Sequence, residues 1–403
     1  MSDSAMMTRA PAAPLKVPGS PLTLLLVAGE ASGDSHGAEL IHALKQQRPD
    51  VRIIGVGGPK MAAAGQEQLF DLSAHAVVGL TQVLRHYFKF WMFFKRVLSL
   101  ARKECPQAVV LIDYPGFNLR LAARLRREVP GSRTIFYISP QVWAWKAGRV
   151  KAMEKCIDLL LVILPFEKEW FGRAAPDLKV AWVGHPLLGI GLDRIKRIET
   201  VEPNPKHVAL LPGSRRAEIE MHLPVLWEAA RIMSIRRPGL KFVLLAPNEA
   251  VLKISLTLMA RLPAPNFTIE YNVGYAVSHL SRCALALVAS GTASLECAVV
   301  GIPQIVIYRV DPLTYAVGKK LVKLNHLSMV NVMANEEVVP ELLQEKMQPE
   351  AIAREALDLL DNKRRRETMK QRVAQIVGSL GGPGASKRAA EAILLEASLS
   401  QVR

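Results

Sequence analysis

From Leu22 onward, short uniformly apolar runs alternate with segments whose apolar residues recur every three or four positions. The short runs predict strands: LTLLLVA (22–28), VRIIGV (51–56), AVVLI (108–112), TIFYI (134–138), LLLVIL (159–164) and KVAWV (179–183). A second series follows: HVALL (207–211), KFVLLA (241–246), FTIEY (267–271), ALALVA (284–289) and QIVIY (304–308). Strands apolar on both faces and separated by helices predict parallel sheets covered on both sides. Residues 186–206 cluster Gly and Pro without a strand pattern, which predicts a linker. The pattern thus divides into one doubly wound domain over 21–185 and another over 207–378. A last helix follows within 379–403, after the break GSLGGPG. Residues 1–20 are rich in Ala, Pro and Ser and hold no apolar run, so a disordered leader is expected there rather than a secretory signal.

The chain has 403 residues, half of them hydrophobic, enough for two or three domains with sizeable cores. Lys plus Arg is 52 against 36 Asp plus Glu, a net +16. Such a surplus points to a polyanionic partner: nucleic acid, anionic lipid or a phosphorylated substrate. Cys105, Cys156, Cys283 and Cys297 lie far apart with no C-x-x-C, which argues against a zinc site or disulfide framework and fits a reducing cytosol. No run of about 18 uncharged apolar residues occurs, so no transmembrane helix is expected.

Candidate chemistry gathers where strands end. LPGSRRAEIE (211–220) and ASGTASLE (289–296) each follow a strand and open a helix. Small-residue turns at helix starts present backbone N–H groups and the positive end of the helix dipole. With Arg215 and Arg216 added, the two turns suggest a cradle for a diphosphate built from Gly213, Ser214, Ser290, Gly291 and Thr292. Glu296, one to two turns into its helix, could take a ribose diol. VAGEASGDSHGAEL (27–40) is no dinucleotide fingerprint, since its glycines are spaced by four. Gly29, Ser32 and Gly33 allow a ligand close to the backbone, or form a tight turn capped by Ser32 or Asp34. In LIDYPGFNLRLA (111–122), Asp113 ends a strand and faces a cleft as a possible proton acceptor, or else caps or pairs with Arg120 or Arg124. YISPQVWAWKAGRVK (137–151) crowds Trp143, Trp145 and cations, suited to sugars and phosphates or to core packing. On a helical wheel, Arg85, Lys89, Arg96 and Lys103 form one stripe. Tyr87, Phe90, Trp91, Phe93, Phe94, Val97 and Leu98 fill the opposite arc. This is the pattern of an interfacial membrane helix or of a core helix with a basic edge. No D-x-D occurs, so no metal or other cofactor is expected; cations and helix starts would neutralise a leaving diphosphate.

Taken in order, AGEASGD, GVGGPKM, VVGLTQVL, IDYPGFNLRLA, YISPQVWAWK, LPFEKEW, VGHPL, LLPGSRRAEIE, ASGTASLE and VVPELLQ resemble the lipid-A-disaccharide synthase family from about Leu22 to Gln344. The resemblance implies the GT-B glycosyltransferase fold, two Rossmann-like domains facing a cleft, with the last helix crossing back to the first. It implies transfer of diacylglucosamine from UDP to diacylglucosamine 1-phosphate, with inversion, at the cytoplasmic face of a Gram-negative inner membrane. On that basis Asp113 is the general base and Arg215 serves the diphosphate. Gly213, Ser214, Ser290, Gly291, Thr292 and Glu296 form the nucleotide cradle. Gly29, Ser32, Gly33, Asn118, Trp143 and Asn331 join the substrate site. Asn331 stands in SMVN, where the family has S-x-P-N, and Gly116 stands where some members carry a second acid. Helix 85–103 is expected to meet an anionic membrane surface. Competing readings are another GT-B enzyme, such as a UDP-GlcNAc transferase of peptidoglycan synthesis or a UDP-GlcNAc epimerase, and a nucleic-acid-binding module. Dispersed bases and the lack of a nucleic-acid motif argue against the last.

Overall fold

A computed structural model of the chain describes residues 22–71, 83–145, 147–189, 203–274, 277–312, 314–316 and 324–402, without side chains at 31, 83–90, 145, 147, 277–278 and 401–402. The expected leader at 1–20 and most of the expected linker, 190–202, lie outside the described residues.

The first sheet has seven parallel strands. In chain order the elements are β1 (Thr23–Ala28), α1 (Ala31–Gln47), β2 (Arg52–Gly57), α2 (Pro59–Ala63), β3 (Glu67–Asp71), α3 (Val83–Glu104) and β4 (Ala108–Ile112). Then come α4 (Pro115–Glu128), β5 (Arg133–Tyr137), α5 (Val142–Trp145), α6 (Val150–Cys156), β6 (Leu159–Val162), α7 (Glu167–Ala174) and β7 (Val180–Trp182). The strand order is β3-β2-β1-β4-β5-β6-β7, so the winding reverses between β1 and β4, where Ala28 pairs with Ile112. The second sheet repeats this plan. It is built from β8 (Asn204–Leu211), α8 (Arg216–Arg236), β9 (Lys241–Ala246), α9 (Glu249–Met259), β10 (Thr268–Val273), α10 (Val277–Leu280) and β11 (Cys283–Ala289). α11 (Thr292–Val300), β12 (Gln304–Tyr308), α12 (Met329–Ala334), β13 (Glu341–Leu343), α13 (Pro349–Asp361) and α14 (Lys363–Gly378) complete it. Its order is β10-β9-β8-β11-β12-β13, reversing between β8 and β11. Ligands of open α/β sheets bind beyond the strand ends at such reversals.

Central strands are buried on both faces: all six residues of β1 and all five of β4 are inaccessible or nearly so. β3 and β13 escaped the sequence reading. Both are edge strands, EQLFD and ELL, with no fully buried residue, and so lack the continuous apolar run that marks a central strand.

The final helix, α15 (Ala385–Ser398), packs on α1, β4 and β5 of the first sheet. Two devices dock it. Arg388 donates to the carbonyls of Val183, Gly381, Gly382 and Pro383, joining the outgoing and returning passes of the chain. Glu396, only 3% exposed, pairs with Lys179 at 2.7 Å and Arg133 at 3.7 Å.

In α3 the aromatic arc divides. Phe93, Val97, Leu98 and Ala101 are core, and Phe93 stacks on Phe70 at 4.7 Å. Trp91 and Met92 remain exposed at 45% and 38%, with Lys95 Nζ 3.8 Å from the Trp91 ring centre. The expectation of one continuous interfacial arc is therefore corrected: turns near β3 serve the core because that sheet edge needs a cover. The side chains of Arg85, Tyr87, Lys89 and Phe90 lie outside the described residues. No helix among the described residues is long and apolar enough to cross a membrane.

Candidate active site

The chain puts Gly29 and Asp113 at the ends of β1 and β4, side by side at the first reversal. Asp113 and Tyr114 both adopt left-handed backbone, φ 48° and 49°, a region sparsely used by residues with side chains. Pro115 then opens α4 at its first position, where its missing N–H costs nothing. The strained turn is held from behind. The Asp113 N–H donates to Tyr137 O at 2.9 Å. Asn118 Nδ2 donates to Ile112 O at 3.2 Å and Asp113 O at 2.7 Å. Asn118 is fully buried, so it holds the turn rather than facing the cleft as expected for a ligand contact. Burial, and then the nearby Glu30 carboxylate, push the Asp113 carboxyl up to about 6, against the opposing pull of the Tyr114 N–H and of Arg215. That pull places Arg215, from the second sheet, within electrostatic reach of Asp113 across the cleft.

Gly29 has a different reason to be glycine than the one its motif suggested. A Cβ there would stand 2.2–2.8 Å from three atoms of the Tyr114 ring, so the space is filled by the protein itself. Gly33 is buried, its missing Cβ 3.4 Å from Ala28 Cβ, and lets α1 lie close on β1. Ser32 is half-buried in the first turn of α1. Neither Ser32 nor Asp34 caps that helix, whose N-cap is Glu30. Asp34 instead accepts the N–H groups of Gly58, Lys60 and Met61 at 2.9–3.1 Å and so caps α2. Trp143 donates its indole N–H to Glu167 at 3.1 Å and meets Phe166 edge-on at 5.0 Å. Glu167, 1% exposed, also accepts from Ser139, Ile163 and Leu164. Trp143 thus belongs to the packed junction with the second domain's core rather than to an open sugar platform.

At the second reversal the two turns differ. In LPGSR the anion position is taken: Glu218 accepts the N–H groups of Ser214 (3.1 Å) and Arg215 (3.3 Å) and pairs with Arg215 Nη1 at 3.1 Å. Gly213 is required by its φ of 126°, which residues with side chains rarely adopt, and a Cβ would also lie 2.8 Å from Glu218 Cβ. Gly213 and Ser214, expected as phosphate donors, here form a turn held by Glu218; Arg215 keeps about half its side-chain surface exposed. In ASGT, by contrast, nothing lies within 4 Å of where a Gly291 Cβ would be, and Gly291 and Thr292 are exposed. The Gly291 and Thr292 amides find no partner among the described residues. Ser290 is spent on structure, its N–H on Ile307 O and its hydroxyl on Leu327 O. Glu296 forms no ion pair or hydrogen bond among the described residues, and burial raises its carboxyl to about 7. Asn331 is fully buried. Its amide serves Val338, Val339 and Glu341, so it fixes the segment beside the ASGT turn instead of facing a substrate.

Sequence reasoning missed several residues that shape the site. Glu218, at the third position of α8, accepts from the N-cap Arg215 N–H, half of a capping box; an arginine at N-cap has no acceptor for the other half, which hides the signature. His222 is inaccessible and links two strand ends: its Nδ1–H donates to Pro212 O at 2.7 Å and its Nε2 accepts from the Arg309 N–H at 3.0 Å. Glu341 accepts from Leu327, Ser328 and Asn331. Glu30 stands in the quoted AGEASGD motif, but its pairing with Asp113 crosses from one strand end to another and has no trace in spacing.

Two doubly wound domains, with a carboxylate at one reversal and an exposed arginine and an open glycine turn at the other, define a GT-B protein. Solved structures agree. A putative UDP-N-acetylglucosamine 2-epimerase from Listeria monocytogenes is similar with TM-score 0.62 and 14% identity, covering 93% of this chain and 95% of that one. MurG of Acinetobacter baumannii is similar with TM-score 0.54 and 14% identity, covering 93% and 100%. The chain belongs to the lipid-A-disaccharide synthetase family, whose pattern it matches over residues 24–395. It is 40% identical to the lipid-A-disaccharide synthase of Nitrosococcus oceani over 91% of this chain and 94% of that one. It is 38% identical to that of Trichlorobacter lovleyi over 93% and 98%. The chain is a glycosyltransferase of lipid A disaccharide synthesis.

Proposed function

We propose that the enzyme joins UDP-2,3-diacylglucosamine to 2,3-diacylglucosamine 1-phosphate, giving the β-1′,6-linked disaccharide 1-phosphate and UDP. The acceptor 6-hydroxyl oxygen attacks the donor anomeric carbon. Asp113 takes the hydroxyl proton as the new C–O bond forms, and the bond to UDP breaks on the opposite face, which inverts the centre. With its carboxyl raised only to about 6, Asp113 is mostly ionised at neutral pH and still basic enough to help. Arg215 and the Gly291–Thr292 turn meet the charge that grows on the departing diphosphate, a preorganised stabilisation. Glu296, unpartnered beside that turn, would accept the ribose hydroxyls. The exposed Trp91 and Met92 on α3, with the basic Lys95, Arg96 and Lys103, support peripheral contact with the anionic inner face of the inner membrane, where the acylated substrates reside.

The observation that carries this reading is the left-handed turn that seats the Asp113 carboxyl at the first reversal, together with the open Gly291–Thr292 turn at the second. The test is incubation with both acylated substrates and mass spectrometry of the product, beside unacylated UDP-GlcNAc as donor. Turnover of unacylated donor alone would move the assignment to another GT-B activity.

A further inference from the structure

The ring of Tyr114 has a place in the fold that neither strand nor helix demands. It lies across Gly29, where its Cδ1, Cε1 and Cγ fill the room of a missing side chain. Phe117, fully buried, stacks behind it at 6.0 Å and 24°, and Phe94 of α3 meets Phe117 edge-on at 5.6 Å. Tyr114 follows Asp113 directly, and its own carbonyl accepts from Phe117 and Asn118, which start α4. Gly29 precedes Glu30, the N-cap of α1. One ring therefore spans the two strand ends that present the site's two carboxylates. It does so from a left-handed backbone that persists only where its surroundings enforce it.

We propose that Tyr114 is a positioning residue: seated on Gly29 and braced by Phe117, its ring fixes Asp113 relative to Glu30 and keeps water from the Asp113 carboxyl. The proposal rests on Asp113 as the proton acceptor. A misplacement of about 1 Å in such a group costs up to about 10²-fold in rate. The contact is also specific to this pair. A methyl group at position 29 would strike the ring, whose Cδ1, Cε1 and Cγ are the nearest atoms it would meet.

The experiment compares Tyr114→Ala, Tyr114→Phe, Gly29→Ala and the double variant Gly29→Ala/Tyr114→Ala, in full-length enzyme, reading kcat across pH 4.5–8.5 together with thermal unfolding. Tyr114→Ala should lower the plateau kcat by about tenfold or more. Its acid limb should move below about 6, because water reaches a carboxyl whose midpoint is raised first by burial and then by Glu30, with Arg215 opposing. Tyr114→Phe keeps the ring and should stay within about threefold of wild type with the limb unmoved. Gly29→Ala should lose activity, and the double variant should be no worse than Tyr114→Ala alone. Losses that multiply in the double variant overturn the proposal, as does an unmoved limb in a folded Tyr114→Ala. Should Tyr114→Ala fail to fold, Tyr114→Leu supplies a smaller wedge, and a wild-type rate and limb in that variant or in folded Gly29→Ala overturns it equally. Near wild-type turnover of Asp113→Asn would instead remove Asp113 as the base, a failure read in a separate protein.

Discussion

Replacing Asp113 by Asn should cost activity and add stability, and the added stability should depend on pH. The Asp113 carboxyl has its midpoint raised from 3.8 to about 6, mainly by burial. Folding therefore favours its neutral form. The contribution is fully present below about pH 4 and is lost as pH rises through 6, when a charge must be held in the closed turn. The difference is worth about 3 kcal/mol at most, and partial opening to the cleft screens it to about 2 kcal/mol. Asn keeps the shape and carries no charge, so at pH 8 the variant should unfold on the order of 5 °C higher than wild type. The gain should shrink toward nothing at pH 4. Turnover should fall about 10²-fold or more on the neutral plateau, since no base remains, and by less below pH 6, where the wild-type carboxyl is itself protonated. Thermal unfolding by circular dichroism at pH 4, 6 and 8, with product formation on the same samples, measures both. An Asn variant that gains nothing at pH 8, or gains equally at pH 4 and 8, would refute burial as the cause of the raised midpoint.

Other outcomes follow from single contacts. Arg215→Ala should slow transfer about 10²-fold with folding intact, and wild-type rate should survive EDTA; a strict divalent-ion requirement would contradict the diphosphate site described above. Trp91→Ser with Met92→Ser should weaken sedimentation with anionic vesicles without lowering the unfolding temperature, because both side chains are exposed; unchanged vesicle binding would sink the membrane contact. Glu396→Ala removes the buried partner of Lys179 and Arg133 and should cost about 1–3 kcal/mol, read as early protease cleavage near 378–384; unaltered proteolysis would show that these pairs do not hold α15.

Much of this protein can be read from order along the chain. Runs such as LTLLLVA and AVVLI are apolar throughout because their strands are covered on both faces, and covered strands between helices mark a parallel α/β plan, whose open doubly wound order the sheets then show. Small residues and a carboxylate just past those runs mark the cleft, since strand ends at a reversal are where a ligand can enter. Edge strands β3 and β13 did not show, because half-exposed pairing needs no apolar run. The chain order also could not assign partners. Asp113 gains its raised midpoint first from burial and then from Glu30 at another strand's end, with Arg215 of the second sheet opposing. Gly29 read as room for a ligand and is room for Tyr114. Glu218 read as one more helical acid and occupies the anion place of its own turn. Asn118 and Asn331 read as substrate contacts and bond backbone beside the cleft through their amides, while Trp143 bonds the buried Glu167. Local pattern records what each element must bury. Which polar group meets which depends on contacts between residues tens to hundreds of positions apart, and those exist only once the sheets, the cleft and the returning helix are assembled.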